Sequence, residues 1–187
     1  MRIIGGKNKG RKILAPNNLP VRPTTDLGKE SLFNILNNYF YFDNVTVLDL
    51  FAGTGNITYE FASREALSVT SVDNNQYCTD FIKKTLQKLD YDNVMVIRSD
   101  AFQFVNRCRQ KFDIIFADPP YDLSGIEKIV EDVFANNLLN PSGWLIIEHD
   151  RSYDFSKHPN FHQHRKYGKL NFSILIQYKK ETKQETE

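Results

Sequence analysis

The run Phe-Asp-Ile-Ile-Phe-Ala at residues 112–117 is followed at once by Asp118-Pro119-Pro120-Tyr121. An apolar run of this length reads as a buried strand. Neither proline can donate to a ladder, so the strand ends at Asp118 and the chain turns sharply. A stiff turn at the carboxyl end of a parallel strand is where open α/β sheets bind ligands. The rest of the chain supplies such a sheet. Periodicity predicts strands near 45–50, 67–72, 93–98, 112–117 and 143–148, with helices near 56–64, 75–89, 101–109 and 123–138. Strands alternating with helices imply a parallel sheet with right-handed crossovers. Before it, a helix is predicted over 26–39, with Leu32, Ile35, Leu36 and Tyr39 as its apolar face. Asn140-Pro141-Ser142-Gly143 reads as the turn before the fifth strand. Two last strands, near 161–167 and 171–178, meet at Gly168 as a closing hairpin.

The turn at 118–121 offers an acceptor carboxylate, a backbone carbonyl and an aromatic ring in one rigid unit. These parts suit a flat substrate with an amino group: the oxygens accept its hydrogens and the ring stacks on its face. The plainer reading is a Pro-Pro turn that only ends a strand.

A second motif favours the ligand reading. The β-branched run 45–50 enters Phe51-Ala52-Gly53-Thr54-Gly55-Asn56 just before a predicted helix. Glycines at 53 and 55 let a ligand approach the backbone, and the helix N-terminus adds N–H groups. The dinucleotide fingerprint G-x-G-x-x-G is incomplete, because Thr58 holds its third position. Asp49 at the strand end would repel a pyrophosphate and attract a cation, which points to a ligand carrying an amino-acid cation. Asp73 closes the next strand about twenty residues after the glycines, where an acid can accept ribose hydroxyls. Asp100 closes the third and can accept from an adenine amino group. Any one of these acids is more commonly a helix cap or turn former. Four, at the ends of four successive strands, form a pattern.

The four segments together resemble the class I methyltransferases that use S-adenosylmethionine, and Asp118-Pro119-Pro120-Tyr121 resembles the subgroup that methylates exocyclic nitrogens. The N-terminus narrows this. Arg2-Ile3-Ile4-Gly5-Gly6, then Arg22-Pro23-Thr24-Thr25-Asp26, then Glu30-Ser31-Leu32-Phe33-Asn34 are similar to the RsmD family, from residue 2 to about residue 178. One departure is Leu27-Gly28-Lys29, where the family commonly carries a bulkier run; Gly28 weakens the first turn of the helix. The resemblance implies a Rossmann-like α/β fold: a mostly parallel seven-stranded sheet with an antiparallel C-terminal hairpin and a small basic N-terminal hairpin. It implies transfer of a methyl group from S-adenosyl-L-methionine to the N2 amine of a guanine in 16S rRNA, within an assembling small ribosomal subunit. Asp118, Pro119, Pro120 and Tyr121 would be catalytic. Asp49, Phe51, Gly53, Gly55, Asp73, Asn74, Asp100 and Ala101 would hold the cofactor. Two other readings are a DNA or protein amino-methyltransferase with the same core, and a non-catalytic RNA-binding module.

The 187 residues fit one domain with a sizeable core. We expect an arm at 1–22, a methyltransferase domain at 23–179 and a disordered tail at 180–187. The net charge of +1 does not announce a nucleic-acid binder, but its distribution does. Residues 1–22 hold Arg2, Lys7, Lys9, Arg11, Lys12 and Arg22 without one acid, as suits a phosphate backbone; the alternative is a solubilising tail. Ile3, Ile4, Ile13 and Leu14 suggest a short hairpin around Gly10. A second basic patch gathers Lys157, Arg165, Lys166 and Lys169 with His158, His162 and His164. In a regular strand His162 and His164 share a face, yet no Cys lies beside them, and an RNA-facing or structural role is favoured over metal. Cys78 and Cys108 match no metal or redox spacing and read as buried helical thiols. No run is long enough to span a bilayer and no signal peptide is evident, so a cytoplasmic protein is expected; a monomer is expected as well.

Overall fold

The computed structural model describes residues 1–16, 26–168 and 170–178. Arg22 and Lys169, the segment 23–25 of the N-terminal motif and the tail 180–187 lie outside the described residues. Helix α1 spans Asp26–Leu36. Five parallel strands follow, β1 (Thr46–Leu50), β2 (Ser68–Asp73), β3 (Val94–Arg98), β4 (Phe112–Ala117) and β5 (Leu139–His149). They alternate with α2 (Asn56–Ser63), α3 (Gln76–Leu89), α4 (Ala101–Arg107) and α5 (Ile126–Ala135), and β6 (Phe161–Tyr167) and β7 (Leu170–Ile176) close the chain. The sheet has seven strands in the order β3-β2-β1-β4-β5-β7-β6, and only the pairings of β7 with β5 and β6 are antiparallel. The expected fold class is therefore the one observed.

Strands β1 and β4 lie at the centre and are covered on both faces, which is why their sequences are nearly unbroken apolar runs. Val47 of β1 and Ile114 and Phe116 of β4 pack with Leu32, Phe33, Leu36 and Phe61 of α1 and α2. Leu48, Leu50 and Ile115 alternate to the other face and pack with Val105, Ile129 and Val133 of α4 and α5. The order of the strands reverses between β1 and β4, so a crevice opens there at their carboxyl ends.

Several boundaries differ from expectation for physical reasons. Helix α1 stops at Leu36 because Asn37 and Asn38 are poor helix formers; Tyr39 lies beyond it, 58% exposed, with its ring 4.7 Å from that of Trp144. The buried face of α1 is Gly28, Lys29, Leu32, Phe33 and Leu36. Strand β5 begins earlier than 143. Leu139 pairs with Phe112 and pairing resumes at Trp144 with Ile114, so residues 140–143 form a bulge inside the strand. Ser142 takes φ +67° there, and a Cβ on Gly143 would meet the Asn140 carbonyl at 2.8 Å. Helix α5 covers only Ile126–Ala135, begun by Gly125 at φ +79°. Cys78 is buried in α3, whereas Cys108 follows the last turn of α4 and is half-buried.

The N-terminal hairpin has one antiparallel bridge, Arg2 to Lys12. It is packed against the domain. Ile3 and Ile13 join Tyr59 and Ala62 of α2 and Ile82 and Leu86 of α3 in one cluster, whereas Leu14 is exposed. Beneath it lies an ionic network. Lys29 Nζ, fully buried, donates to Glu60 Oε1 at 2.8 Å and to the Arg2 carbonyl at 2.5 Å. Glu60 Oε1 also accepts the Ile4 N–H at 2.7 Å, and its other oxygen takes Arg64.

Candidate active site

Register places three of the strand-end acids in one row. Leu50 pairs with Val72 on one side and Ala117 on the other, and Ala117 pairs with Ile147. One residue further along, Asp73, Phe51, Asp118 and Glu148 stand at the same level, at the carboxyl ends of four adjacent strands. A cavity of about 460 Å³ opens above this row. All eight expected cofactor residues but Gly55 line it, and so do all four expected catalytic residues.

The glycine turn is built on backbone freedom. Gly53 and Gly55 take φ +55° and +82°, and Gly55 begins α2. A Cβ at Gly55 would meet Tyr59 and Ile82 side chains at 2.8–2.9 Å, so Gly55 serves the packing of the turn. Phe51 also holds positive φ, at +62°, a strained state for a residue with a side chain.

Each acid is held by its surroundings. The Asp73 carboxylate accepts the Gly53 N–H through Oδ2 and the Asn75 N–H through Oδ1, both at 2.8 Å. Burial raises its pKa above the usual carboxylate value, against the pull of those two bonds. Asp100 caps α4 by accepting the Gln103 N–H at 3.0 Å, so the helix-cap reading holds for it, and it lines the cavity as well. Asp49 is buried and accepts from the Thr58 hydroxyl at 2.6 Å. Burial first, and the charges of Asp118 and Asp73 after it, push its pKa up to about 7, opposed by the Thr58 hydrogen bonds.

At the far side of the row, the Asp118 N–H donates to the Leu50 carbonyl at 3.4 Å, and the Leu123 N–H closes the turn onto the Pro120 carbonyl at 2.9 Å. The described peptide bonds are all trans. Tyr121 is 52% exposed, and its hydroxyl donates to Glu148 Oε1 at 3.5 Å. Glu148 is buried, lines the cavity and was missed in the sequence. Its signal was available: the strand expected at 143–148 carries an acid at its carboxyl end, as the four before it carry one at or just beyond theirs. Among the described lining residues there are five carboxylates and no Lys, Arg or His. That chemistry disfavours a pyrophosphate and suits a ligand with ammonium and sulfonium charges.

The basic residues divide. Arg2 pairs with Asp26 at 3.2 Å. Lys7 lies over the Tyr91 ring at 5.0 Å, and its N–H donates to the carbonyl of Ser63, the last residue of α2. The hairpin tip is thus one helix length, about 12 Å, from the glycine turn. Lys9, Arg11 and Lys12 are exposed. Arg165 and Lys166 are exposed on β6, an edge of the sheet, whose turn into β7 brings Leu170 to the cavity. His162 and His164 do not share a face. A bulge between Phe161 and Gln163 turns His162 toward Trp144 and His164 toward His149, which point to opposite sides of β5. Among the described residues no group of three or more His, Cys, Asp or Glu side chains is placed to hold a metal ion.

A sheet of this order with an acid-lined crevice at its switch point has the architecture of a class I methyltransferase. The same architecture is found in the Escherichia coli protein yhhF, with a TM-score of 0.83, 28% identity and coverage of 95% of this chain and 98% of that one. The Haemophilus influenzae protein HI0767 matches with a TM-score of 0.78 and 28% identity over the same shares. In sequence, ribosomal RNA small subunit methyltransferase D of Buchnera aphidicola is 32% identical over 94% of this chain and 91% of its own length. The Escherichia coli protein of that name is 34% identical over 79% and 71%. The conserved hypothetical protein 95 family model matches residues 1–176, and the chain belongs to that family, the RsmD methyltransferases.

Proposed function

We propose that this methyltransferase uses S-adenosylmethionine to methylate the exocyclic N2 amine of a guanine in 16S rRNA. The observation that carries the reading is the row of strand-end acids above which one cavity runs from Asp73 to Tyr121. The relatives named small subunit methyltransferase D support ribosomal RNA as substrate. The cavity's carboxylates fit the cofactor: Asp73 would accept from the ribose, Asp100 from the adenine amine, and Asp49 would face the amino-acid cation, with Phe51, Gly53, Asn74 and Ala101 as walls. Bound there, the cofactor supplies a methyl group already activated on a sulfonium.

The chain's own task is then orientation. An aryl amine is a poor nucleophile because its lone pair is delocalised into the ring. Hydrogen bonds from its two N–H groups to the Asp118 carboxylate and the Pro119 carbonyl would localise that pair on nitrogen. Tyr121 would stack on the base, which must leave its own stack to enter. Nitrogen would gain the methyl carbon as that carbon's bond to sulfur breaks and would then pass one proton to solvent, and the Asp118 charge would stabilise the positive charge that develops on nitrogen in between. The RNA backbone would lie along the basic hairpin of arm 1–22 and along Arg165 and Lys166 of β6. In the same reading the chain acts as a cytoplasmic monomer on an assembling small subunit. No described helix is long and apolar enough to cross a membrane.

The test is tritiated-methyl transfer to immature small subunits, naked ribosomal RNA and DNA, followed by nucleoside analysis. N2-methylguanosine in the ribosomal RNA is expected. Label in DNA alone, or on another base atom, would overturn the reading.

A further inference from the structure

We infer that Glu148 reads the target base, accepting the ring N–H that neighbours the exocyclic amine, so that the site selects a purine with a donor at N1 over one with a bare acceptor there. This rests on the function proposed above and assigns its base-reading subsite.

Three observations carry it. First, Glu148 lies level with Asp118 on the adjacent parallel strand, since Ala117 pairs with Ile147; such strands are about 4.8 Å apart. Guanine presents N1–H and the N2 amine side by side on one edge. An amine held at Asp118 therefore brings N1–H toward the neighbouring strand end. Second, Glu148 is a buried side chain that lines the cavity. Its Oε1 accepts the hydroxyl of Tyr121, the proposed stacking ring, at 3.5 Å. The base-stacking ring and the base-reading carboxylate are thereby positioned as one unit. Third, Glu148 is on the other side of Asp118 from Asp49, Asp73 and Asp100, which stand at or just beyond the carboxyl ends of β1, β2 and β3. The cofactor acids and Glu148 thus flank the reacting position from opposite sides. A carboxylate only accepts; opposite the unprotonated N1 of adenine or 2-aminopurine it meets a lone pair, and a buried mismatch of this kind is strongly rejected.

The test uses the full chain and a ribosomal RNA fragment carrying the guanine that the wild-type protein methylates, synthesised with guanine or 2-aminopurine at that one position. 2-Aminopurine keeps the N2 amine and lacks the N1 proton. Equilibrium affinity is measured with S-adenosylhomocysteine bound, and kcat/KM in the transfer assay. Wild type should prefer guanine by about 10- to 100-fold in both. In Glu148→Gln, whose amide can donate to a bare N1, the preference should shrink by about tenfold or more. The intrinsic reactivity of the two amines cancels in that comparison between proteins. Equal losses on both RNAs, leaving the preference unchanged, would overturn the inference and leave Glu148 as a support for Tyr121. Should Glu148→Gln not fold, Glu148→Asp, which withdraws the carboxylate by one methylene, must also narrow the preference, and an unchanged ratio overturns it equally. A wild-type chain that methylates no RNA guanine overturns the parent function, and this subsite with it.

Discussion

The Asp73 carboxylate accepts the N–H of Gly53 at 2.8 Å, tying the end of β2 to the glycine turn that follows β1. One acid thus shapes the turn and faces the cavity. Asp73→Ala should weaken S-adenosylmethionine binding by about 1.5–3 kcal/mol, the scale of a missing charged acceptor. Circular dichroism should still show a folded protein. Calorimetry gives the affinity, and an unchanged value would remove Asp73 from the site.

Asp49 makes cofactor affinity depend on pH. Its carboxyl, pushed up to about 7 by burial, is largely protonated below that pH. A cationic ligand favours the ionised form, so binding releases a proton in the acidic range. Affinity should therefore rise as pH goes from 5.5 to 7, by up to about tenfold per unit, and then level off. Asp49→Asn should bind more weakly and lose this dependence. A wild-type affinity that is flat over the same range would place the cation away from Asp49.

The Lys29–Glu60 pair clamps the hairpin to α1 and α2 from inside. Lys29→Met leaves the Glu60 charge buried with one partner fewer. Breaking a buried pair in this way costs about 3–5 kcal/mol. Urea denaturation should show that loss, and amide exchange at Ile3 and Ile13 should quicken. A loss below about 1 kcal/mol, the size of an exposed pair, would mean that the clamp lies elsewhere.

The two basic surfaces are separable by charge reversal. Reversal at Lys7, Lys9, Arg11 and Lys12, or at Arg165 and Lys166, should weaken RNA binding and spare cofactor binding. The salt dependence of affinity should also flatten, by about one unit of slope for every phosphate deprived of its cation. A variant that keeps the parental affinity and slope carries its charges for solubility, or to guard a sheet edge against pairing.

The frame of the fold was legible because it rests on local signals. The runs that became β1 and β4 are apolar on both faces, and the proline pair ended β4 where expected. The strand-end acids announced the cavity for the same reason: each stands where an apolar run stops. Relationships across the chain left no local trace. Lys29 and Glu60 are 31 residues apart, and nothing local to either marks the buried pair they form. The separation of His162 from His164 depends on one bulged residue, which the alternating pattern cannot reveal. The early start of β5 was hidden because Pro141-Ser142-Gly143 has turn chemistry while staying within the sheet. The hairpin tip lies at the far end of α2, a position set by Ile3 and Ile13 packing on α2 and α3, not by its charge.

The central claim is that the Asp118 carboxylate acts on the target amine. The most direct measurement is single-turnover methyl transfer by wild type, Asp118→Asn and Asp118→Ala on the best RNA substrate, with cofactor affinity measured beside it. Acceptance of the amine matters most as charge develops on nitrogen, so rate should fall more than binding. The order of rates should be wild type, then Asn, which keeps one acceptor oxygen, then Ala, with transfer by Ala abolished and S-adenosylmethionine affinity nearly unchanged. Near-parental turnover by Ala would contradict the account and leave Asp118 as a turn residue only.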